Sequence, residues 1–375
     1  MRGYRYEALD GVRALAAQTV FVSHALGMAF FSVPSPGAAA AEWFGRVSVM
    51  AFFSLSGFVI ATSLSRLVAS EGSRFGFAYA VHRLARIWPP LVLAIVLTFA
   101  VGWLGHHGVT LATKTGEPYR LDAAAFLRGI TLTFAPGDAT FVIDRALWSL
   151  RQEVYLYGVA ALAALVLTGR GPRRWLPALA ILGLIAATAG RFFYLQSLAL
   201  FCAGAGAALL GGDARLRTLA GSAWIAPLTL ALLAAPLAFV AAPGFIDAMS
   251  ENGAFLAYQA ALGLPLALLL LRLATHDGPA GRGLGRGTRA AAFSYTLYVI
   301  HVPVMTLVFS LRAHLGLAPG LAGTVATLLL AMAVAEAASW AAARVVERPR
   351  LFRRLLFRLL GATGLAQPAA RPVAP

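Results

Sequence analysis

The sequence predicts an all-α integral membrane protein: a polytopic bundle of about ten transmembrane helices with both termini in the cytoplasm. Of its 375 residues, 59% are hydrophobic and only 12% are charged, against roughly 25% charged in soluble domains. The mean hydropathy is +0.76, and apolar stretches follow one another from Leu9 to about Val345. This composition argues against a water-soluble domain and against a disordered chain.

The apolar stretches define the predicted helices in order, because a helix needs about 20 mostly apolar residues to cross the hydrocarbon core. The first stretch follows Arg2 and Arg5. It is interpreted as a retained span and not a signal peptide, since Asp10 and Arg13 interrupt it and no convincing small-residue cleavage site is present. The predicted spans cover residues 9–31, 44–65, 80–104, 146–168, 174–189, 192–211, 221–241, 254–272, 290–311 and 320–344.

The basic residues predict the orientation, because they accumulate in short cytoplasmic loops. With the termini inside, the cytoplasmic segments hold most of the 31 basic residues. The opposite loops are poor in them: residues 32–42 contain no base, and residues 242–253 contain Asp247 and Glu251 and no base. The net charge of +16 is spread between apolar stretches and gathers on no soluble module, so no nucleic acid is expected as a partner.

Two segments outside the spans have their own character. The external loop 105–145 contains an apolar stretch, 123–135, that is too short to span and is predicted to lie in the interface or to re-enter. At the C-terminus, residues 348–360 interleave arginines with leucines and phenylalanines, which suits a helix on an anionic cytoplasmic leaflet. We therefore divide the chain into a transmembrane domain, residues 1–347, and a tail, residues 348–375, whose last part is predicted to be disordered.

Cysteine and glycine patterns exclude several chemistries. A single cysteine, Cys202, permits no intramolecular disulfide and no Cys-x-x-Cys metal cluster, and no metal is expected. Gly204-Ala205-Gly206 has no strand before it and is interpreted as a helix-packing surface, not a dinucleotide loop.

Ionisable residues inside spans are costly and mark functional sites by default. Arg13 and His24 are spaced to lie on the same face of the first helix, about 16 Å apart along its axis. Arg13 is predicted near the cytoplasmic end and His24 deep in the membrane. The alternatives are a membrane anchor for Arg13 and an interhelical hydrogen bond for His24.

Further candidates lie in the third and fourth spans. Arg83 and Arg86 are spaced i, i+3 and share a helix face, where two guanidiniums can bind phosphate, although lipid-facing anchors would look the same. Glu153 could orient His24 or raise its basicity, or pair with Arg151. For His301 and Glu336, in the last two spans, structural roles are favoured.

Several motifs occur in an order that resembles a known family. In chain order they are Leu9-Asp10-Gly11-Val12-Arg13 with His24, Phe52-Phe53-Ser54-Leu55-Ser56-Gly57-Phe58, Arg83-x-x-Arg86 with Pro89, Trp148-Ser149-Leu150 with Glu153, Ser294-Tyr295-Thr296-Leu297-Tyr298 with His301 and Pro303, and Glu347-Arg348-Pro349. This series resembles the membrane-bound acyltransferase-3 family, which includes bacterial O-acetylases of polysaccharides. The main departure is in the fourth span, where Arg151, Gln152, Val154 and Tyr155 replace the more usual residues.

The resemblance implies an enzyme of the bacterial inner membrane that transfers an acyl group, usually acetyl, from cytoplasmic acetyl-CoA to a hydroxyl of a glycan or other envelope acceptor. The predicted positions of Arg13, Arg83 and Arg86 at the cytoplasmic end fit binding of the phosphates of this donor. We predict catalytic roles for His24, as general base, and for Glu153 and Asp10. The alternative to direct base catalysis is a covalent acetyl-histidine relay.

The sequence leaves several alternative roles, acceptors and functions open. Ser56 and Ser149 could donate hydrogen bonds to an oxyanion, although helix packing is favoured for both. The acceptor could be a lipid, a peptide or a small molecule, and the external region from Tyr119 to Phe141 is expected to select it. The non-enzymatic alternative is a transporter or flippase in which buried ionisable residues form a proton or anion path.

Overall fold

A computed structural model describes residues 4, 6–30, 36–112, 121–134, 144, 146–188, 192–239, 253–276, 278–317 and 320–362. Over these residues the chain is all-helical and contains no strand, which confirms the predicted fold class. The predicted disordered end of the tail, after residue 362, lies outside the described residues. So do residues 119–120 and 135–141 of the expected acceptor region.

The helices follow the predicted spans closely. They are α1 (Tyr6–Phe30), α2 (Pro36–Glu71), α3 (Phe75–His106), α4 (Ala123–Thr131), α5 (Leu147–Thr168), α6 (Trp175–Thr188), α7 (Phe192–Leu210), α8 (Ala214–Gly221), α9 (Ile225–Ala234), α10 (Gly253–Thr275), α11 (Pro279–Gly285), α12 (Thr288–Ala291), α13 (Ser294–His314), α14 (Leu321–Val346) and α15 (Pro349–Ala362).

Four described helical stretches are long and apolar enough to cross a membrane: Gly37–His106, Leu147–Thr168, Ser294–His314 and Leu321–Leu360. The first contains both α2 and α3, and α7 with α8, bent by 119°, would give a fifth. Helices α6 and α9, with 14 and 10 residues, are short for this test. A helix lies in each predicted range, but the count of about ten spans and the cytoplasmic location of the termini stay predictions.

The outer surface of the bundle is apolar. Helix α6 buries none of its residues, and Leu176, Leu179 and Leu182 are between 62% and 72% exposed. Exposure of so apolar a helix to water would strongly destabilise the folded protein. In a membrane, lipid tails surround such a helix.

Close backbone packing joins α2 to α7. A Cβ added at Gly204 would lie 1.9 Å from the carbonyl oxygen of Ser54, and one added at Gly57 would lie 1.9 Å from that of Phe201. The predicted packing role is thus confirmed for Gly204. At Gly206 a Cβ would meet nothing within 4 Å.

Helix α4 occupies the short apolar stretch of the external loop. The Asp122 side chain caps it by accepting a hydrogen bond from the Ala125 amide at 2.6 Å. The ring of Phe126 packs edge-on against Phe99, and the indole of Trp88 donates to the Ile130 carbonyl at 2.9 Å. Helix α4 therefore packs against α3, and its predicted position in the interface or as a re-entrant segment stays a prediction.

The tail begins with the predicted amphipathic helix, α15. One side packs on α3, where Phe357 contacts Phe77 and Arg353 donates to Nε2 of His82 at 3.2 Å. The other side exposes Leu355 and Leu359, by 42% and 65%. The predicted contact of this helix with anionic lipid stays a prediction.

We expect Gly204→Ala to destabilise the protein, because the new methyl group must force α2 and α7 apart at a cost of about 1–3 kcal/mol. The matched control on the same helix is Gly206→Ala, which meets open space and gains up to about 1 kcal/mol of helix propensity. The measurement is the apparent Tm of purified protein in one detergent. Equal effects of the two substitutions would contradict the close contact.

Candidate active site

A cavity of about 80 Å³ lies where α1, α2, α3, α5 and α13 meet. Most of its wall is apolar, and its polar residues come from all five helices. These polar residues are Arg13, Ser56, Arg83, Arg86, Ser149, Glu153, Tyr157, Ser294, Tyr295 and Tyr298. The structure therefore brings together four of the predicted site residues, namely Arg13, Arg83, Arg86 and Glu153.

Arg13 forms an ion pair with Asp10, one turn earlier on α1. The side chains are 22% and 35% exposed, so this pair lies at the edge of the bundle. Along α1, Asp10 is about 21 Å from His24. Asp10 therefore acts on Arg13, and no direct contact with His24 is possible.

Arg83 and Arg86 carry hydrogen-bond donors that the protein leaves available. The Arg83 guanidinium lies over the rings of Tyr79 and Tyr157, at 5.4 and 5.6 Å. Among the described residues its Nε has no hydrogen-bond partner, and its hydrogen bond to Ser63 is long at 3.4 Å. Arg86 is exposed and close enough to Arg13 for the two charges to repel. An anion bound between them would relieve this repulsion.

Glu153 accepts hydrogen bonds from Ser56, at 2.7 Å, and from Tyr157. Among the described residues it bonds neither His24 nor Arg151, the two partners considered for it. Arg151 instead donates to the Phe134 carbonyl and lies over the Phe134 ring. Glu153 thus holds the wall of the cavity, on the side of Arg83.

The two serines considered as oxyanion donors use their protons elsewhere. The Ser56 hydroxyl donates to Glu153. The Ser149 hydroxyl donates to the Ala146 carbonyl at 3.0 Å and accepts from Tyr298. Both hydroxyl protons are therefore engaged in hydrogen bonds within the protein, and the packing role favoured for these serines stays a prediction.

His24 is paired with a second histidine. Its Nδ1 lies 2.8 Å from Nε2 of His301, and the two rings are nearly parallel, with centroids 5.1 Å apart and an interplanar angle of 17°. His301 is fully buried, and its Nδ1 lies 2.8 Å from the Leu297 carbonyl oxygen. Sequence reasoning gave His301 only a structural role, because no local spacing links position 301 to position 24.

Tyr298 separates the cavity from this histidine pair. Its ring packs edge-on against Phe52, which lines the cavity, at 5.5 Å, and it faces the His301 ring at 6.1 Å. His24 does not line the cavity. The arginines therefore lie on one side of Tyr298, around the cavity, and the histidines lie on the other side.

Asp144 is a buried carboxyl that the sequence gave no reason to select. It is 1% exposed, and it is close enough to Tyr298 to act on it electrostatically. Burial raises the pKa of Asp144 well above its ordinary value. The raised pKa favours the neutral carboxyl in the folded protein.

Two of the sequence motifs meet at the arginine end. The Glu347 carboxylate accepts hydrogen bonds from both the amide and the hydroxyl of Thr296, each at 2.7 Å. Because Thr296 is in the first turn of α13, Glu347 caps that helix from a separate segment. Farther along α1, Gln18 donates to Glu336 of α14 at 2.6 Å, the structural role favoured for Glu336.

The described residues contain no group of three or more His, Cys, Asp or Glu side chains that could hold a metal ion.

Comparison with protein families agrees with this architecture. The family model described as an acyltransferase domain, that of the acyltransferase-3 family, matches residues 6–343. The chain therefore belongs to this family and is a membrane acyltransferase. No curated protein and no solved structure matches the chain.

The buried Asp144 carboxyl predicts a pH-dependent stability. Because its pKa is raised in the folded state, the folded protein keeps a proton that the unfolded chain releases. Stability therefore falls as the pH rises above about 4, by up to about 1.4 kcal/mol per pH unit, until the folded-state pKa is passed. Asp144→Asn mimics the neutral carboxyl and removes this dependence.

The measurement is the apparent Tm of wild type and Asp144→Asn from pH 5 to pH 8. We expect the advantage of the variant to grow with pH. A constant difference in Tm across this range would show that Asp144 is ionised in the folded protein.

Proposed function

We propose that this membrane acyltransferase transfers an acetyl group from cytoplasmic acetyl-CoA to a hydroxyl of a cell-envelope or extracellular glycan, in the bacterial inner membrane. The observation that supports this most is the separation of the arginines from the histidine pair within the bundle. Three arginines line the cavity, and the histidine pair lies past Tyr298. This arrangement suits a long donor with an anionic head and a reactive far end.

The arginine end suits the phosphates of coenzyme A. Arg86 and Arg83 offer guanidinium donors that can bind phosphate in a bidentate manner. Arg13 adds charge from a third helix, and its ion pair with Asp10 holds the guanidinium in place. Asp10 therefore contributes to donor binding in this proposal and not to proton transfer.

The pantetheine arm would follow the cavity toward His24. Its apolar wall suits the arm, and the contacts of Glu153 with Ser56 and Tyr157 keep that wall in place. Because Tyr298 lines the cavity and also contacts the His301 ring, the thioester must pass Tyr298 to reach His24. Glu153 then shapes the donor path and does not touch the reacting atoms.

The reaction needs a base for the acceptor hydroxyl. Neutral His24 takes the hydroxyl proton while the oxygen attacks the thioester carbonyl. The carbon–sulfur bond then breaks, and the coenzyme A thiolate leaves and takes the proton from the imidazolium. General base catalysis of this kind contributes about 100- to 10,000-fold to the rate.

The test is the release of coenzyme A thiol from acetyl-CoA by protein in nanodiscs, with and without envelope glycan. We expect glycan-dependent release that falls about 100-fold or more in His24→Ala. The matched control is His314→Ala, at the exposed end of α13, which should behave as wild type. Absence of turnover with every hydroxyl acceptor, in wild-type protein shown to be folded, would overturn the proposal.

The donor site makes a separate prediction. In Arg86→Gln and in Arg83→Gln, the KM for acetyl-CoA should rise about tenfold or more with little change in kcat, because a charge-assisted hydrogen bond contributes about 1.5–3 kcal/mol. Acetyl-pantetheine, which lacks the nucleotide, should be used equally well by variants and wild type. The control is Arg74→Gln, exposed in the turn before α3.

An equal loss with both donors would show that Arg83 and Arg86 support the fold or the chemistry and do not bind the nucleotide phosphates.

A further inference from the structure

We infer that His301 is a positioning residue for His24: it fixes the tautomer of His24 so that Nε2 of His24 is the atom that accepts the substrate proton. This inference rests on the proposed function for its kinetic consequence. Its structural part, the tautomer of His24, stands on the hydrogen-bond geometry alone.

The first step is the protonation of His301. Its Nδ1 lies 2.8 Å from the carbonyl oxygen of Leu297. A carbonyl oxygen only accepts hydrogen bonds, so the hydrogen of this bond is on Nδ1 of His301. A neutral imidazole carries a single N–H, and Nε2 of His301 therefore carries a lone pair.

The second step transfers this constraint to His24. Nε2 of His301 lies 2.8 Å from Nδ1 of His24. Since that Nε2 is an acceptor, the hydrogen between the rings is on Nδ1 of His24. The lone pair of neutral His24 is then on Nε2, on the side of the ring away from His301.

Packing prevents the His301 ring from flipping, which would exchange the positions of its two nitrogens. Its side chain is fully buried, and the Phe21 ring packs edge-on against it at 5.7 Å and 82°. The near-parallel His24 ring and the Tyr298 ring cover other parts of it. A ring flip would break both hydrogen bonds inside an apolar environment, which is costly.

The arrangement also stabilises the protonated form of His24 that arises during the reaction. When His24 accepts a proton, its Nδ1–H bond to His301 becomes charge-assisted and stronger. An aspartate would serve the same purpose in a water-soluble triad. Within a bilayer, a neutral histidine avoids the cost of burying a permanent carboxylate.

The experiment compares two substitutions of His301. His301→Phe keeps a flat ring but removes both hydrogen bonds. His301→Gln keeps an acceptor for His24 and a donor for the Leu297 carbonyl. Ser310→Ala is the structural control, because it removes a bond from the Ala112 amide to the same helix, about 13 Å from His301 along the axis.

We expect His301→Phe to lower kcat about 10- to 100-fold, as loss of a residue that orients a ligating or catalytic histidine does, with the KM for acetyl-CoA within about twofold. His301→Gln should recover most of the rate, and Ser310→Ala should keep it. Wild-type kcat in His301→Phe, or equal losses in the Phe, Gln and Ser310 variants, would overturn the inference.

The second readout needs no turnover, so it separates this inference from the proposed function. In ¹⁵N-histidine spectra of the wild type, assigned with His24→Ala, we expect the hydrogen of neutral His24 on Nδ1 and that of His301 on Nδ1. His301→Phe should release His24 to a mixture of tautomers. A wild-type His24 protonated on Nε2 would overturn the inference whether or not acetyl transfer is observed.

Discussion

The structure depends on one constraint: polar side chains inside an apolar bundle must bond to each other. Helix α1 shows this most clearly. Arg13 pairs with Asp10 within the helix, Gln18 bonds Glu336 of α14, and His24 bonds His301 of α13. The two bonds to α13 and α14 fix the rotation of α1 about its own axis, and they hold Arg13 on the wall of the cavity and His24 next to α13. The candidate site is thus built largely from the bonds that position α1.

Charged groups lie where the free-energy cost of burying a charge is low, and uncharged groups lie where that cost is high. At the open end, where water and phosphate can solvate the guanidiniums, the polar groups are arginines with Asp10 and Glu347 nearby. Deeper in the bundle the groups are ones that can be neutral, such as the histidine pair, Tyr298 and Asp144. This gradient is what a path for an anionic molecule with an uncharged reacting end requires. It also explains why tyrosines surround Arg83, since their rings attract the cation without adding a buried charge.

Local periodicity was enough to predict the helices and the shared faces within them. The positions of α1, α3, α5 and α13, the pairing of Arg83 with Arg86 on one face and the short helix in the external loop all depend on spacings of a few residues. The contacts of His24 with His301 and of Glu347 with Thr296 join segments far apart in sequence. The spacing of residues along one helix does not predict such contacts. For the same reason, Glu153 was given the wrong partners. Asp144 was missed because an aspartate in a loop is ordinarily exposed, and only tertiary packing shows that it is buried.

Entry of the donor from the arginine side is tested most directly by its sidedness in sealed vesicles of both orientations. Acetyl-CoA, which does not cross the bilayer, is supplied outside. The outward face is identified by labelling Arg74→Cys with an impermeant maleimide in a Cys202→Ala background, which removes the one native cysteine. We predict acetyl transfer only in vesicles where Arg74→Cys is labelled from outside. Equal transfer in vesicles where that position is protected would contradict donor entry at Arg13, Arg83 and Arg86.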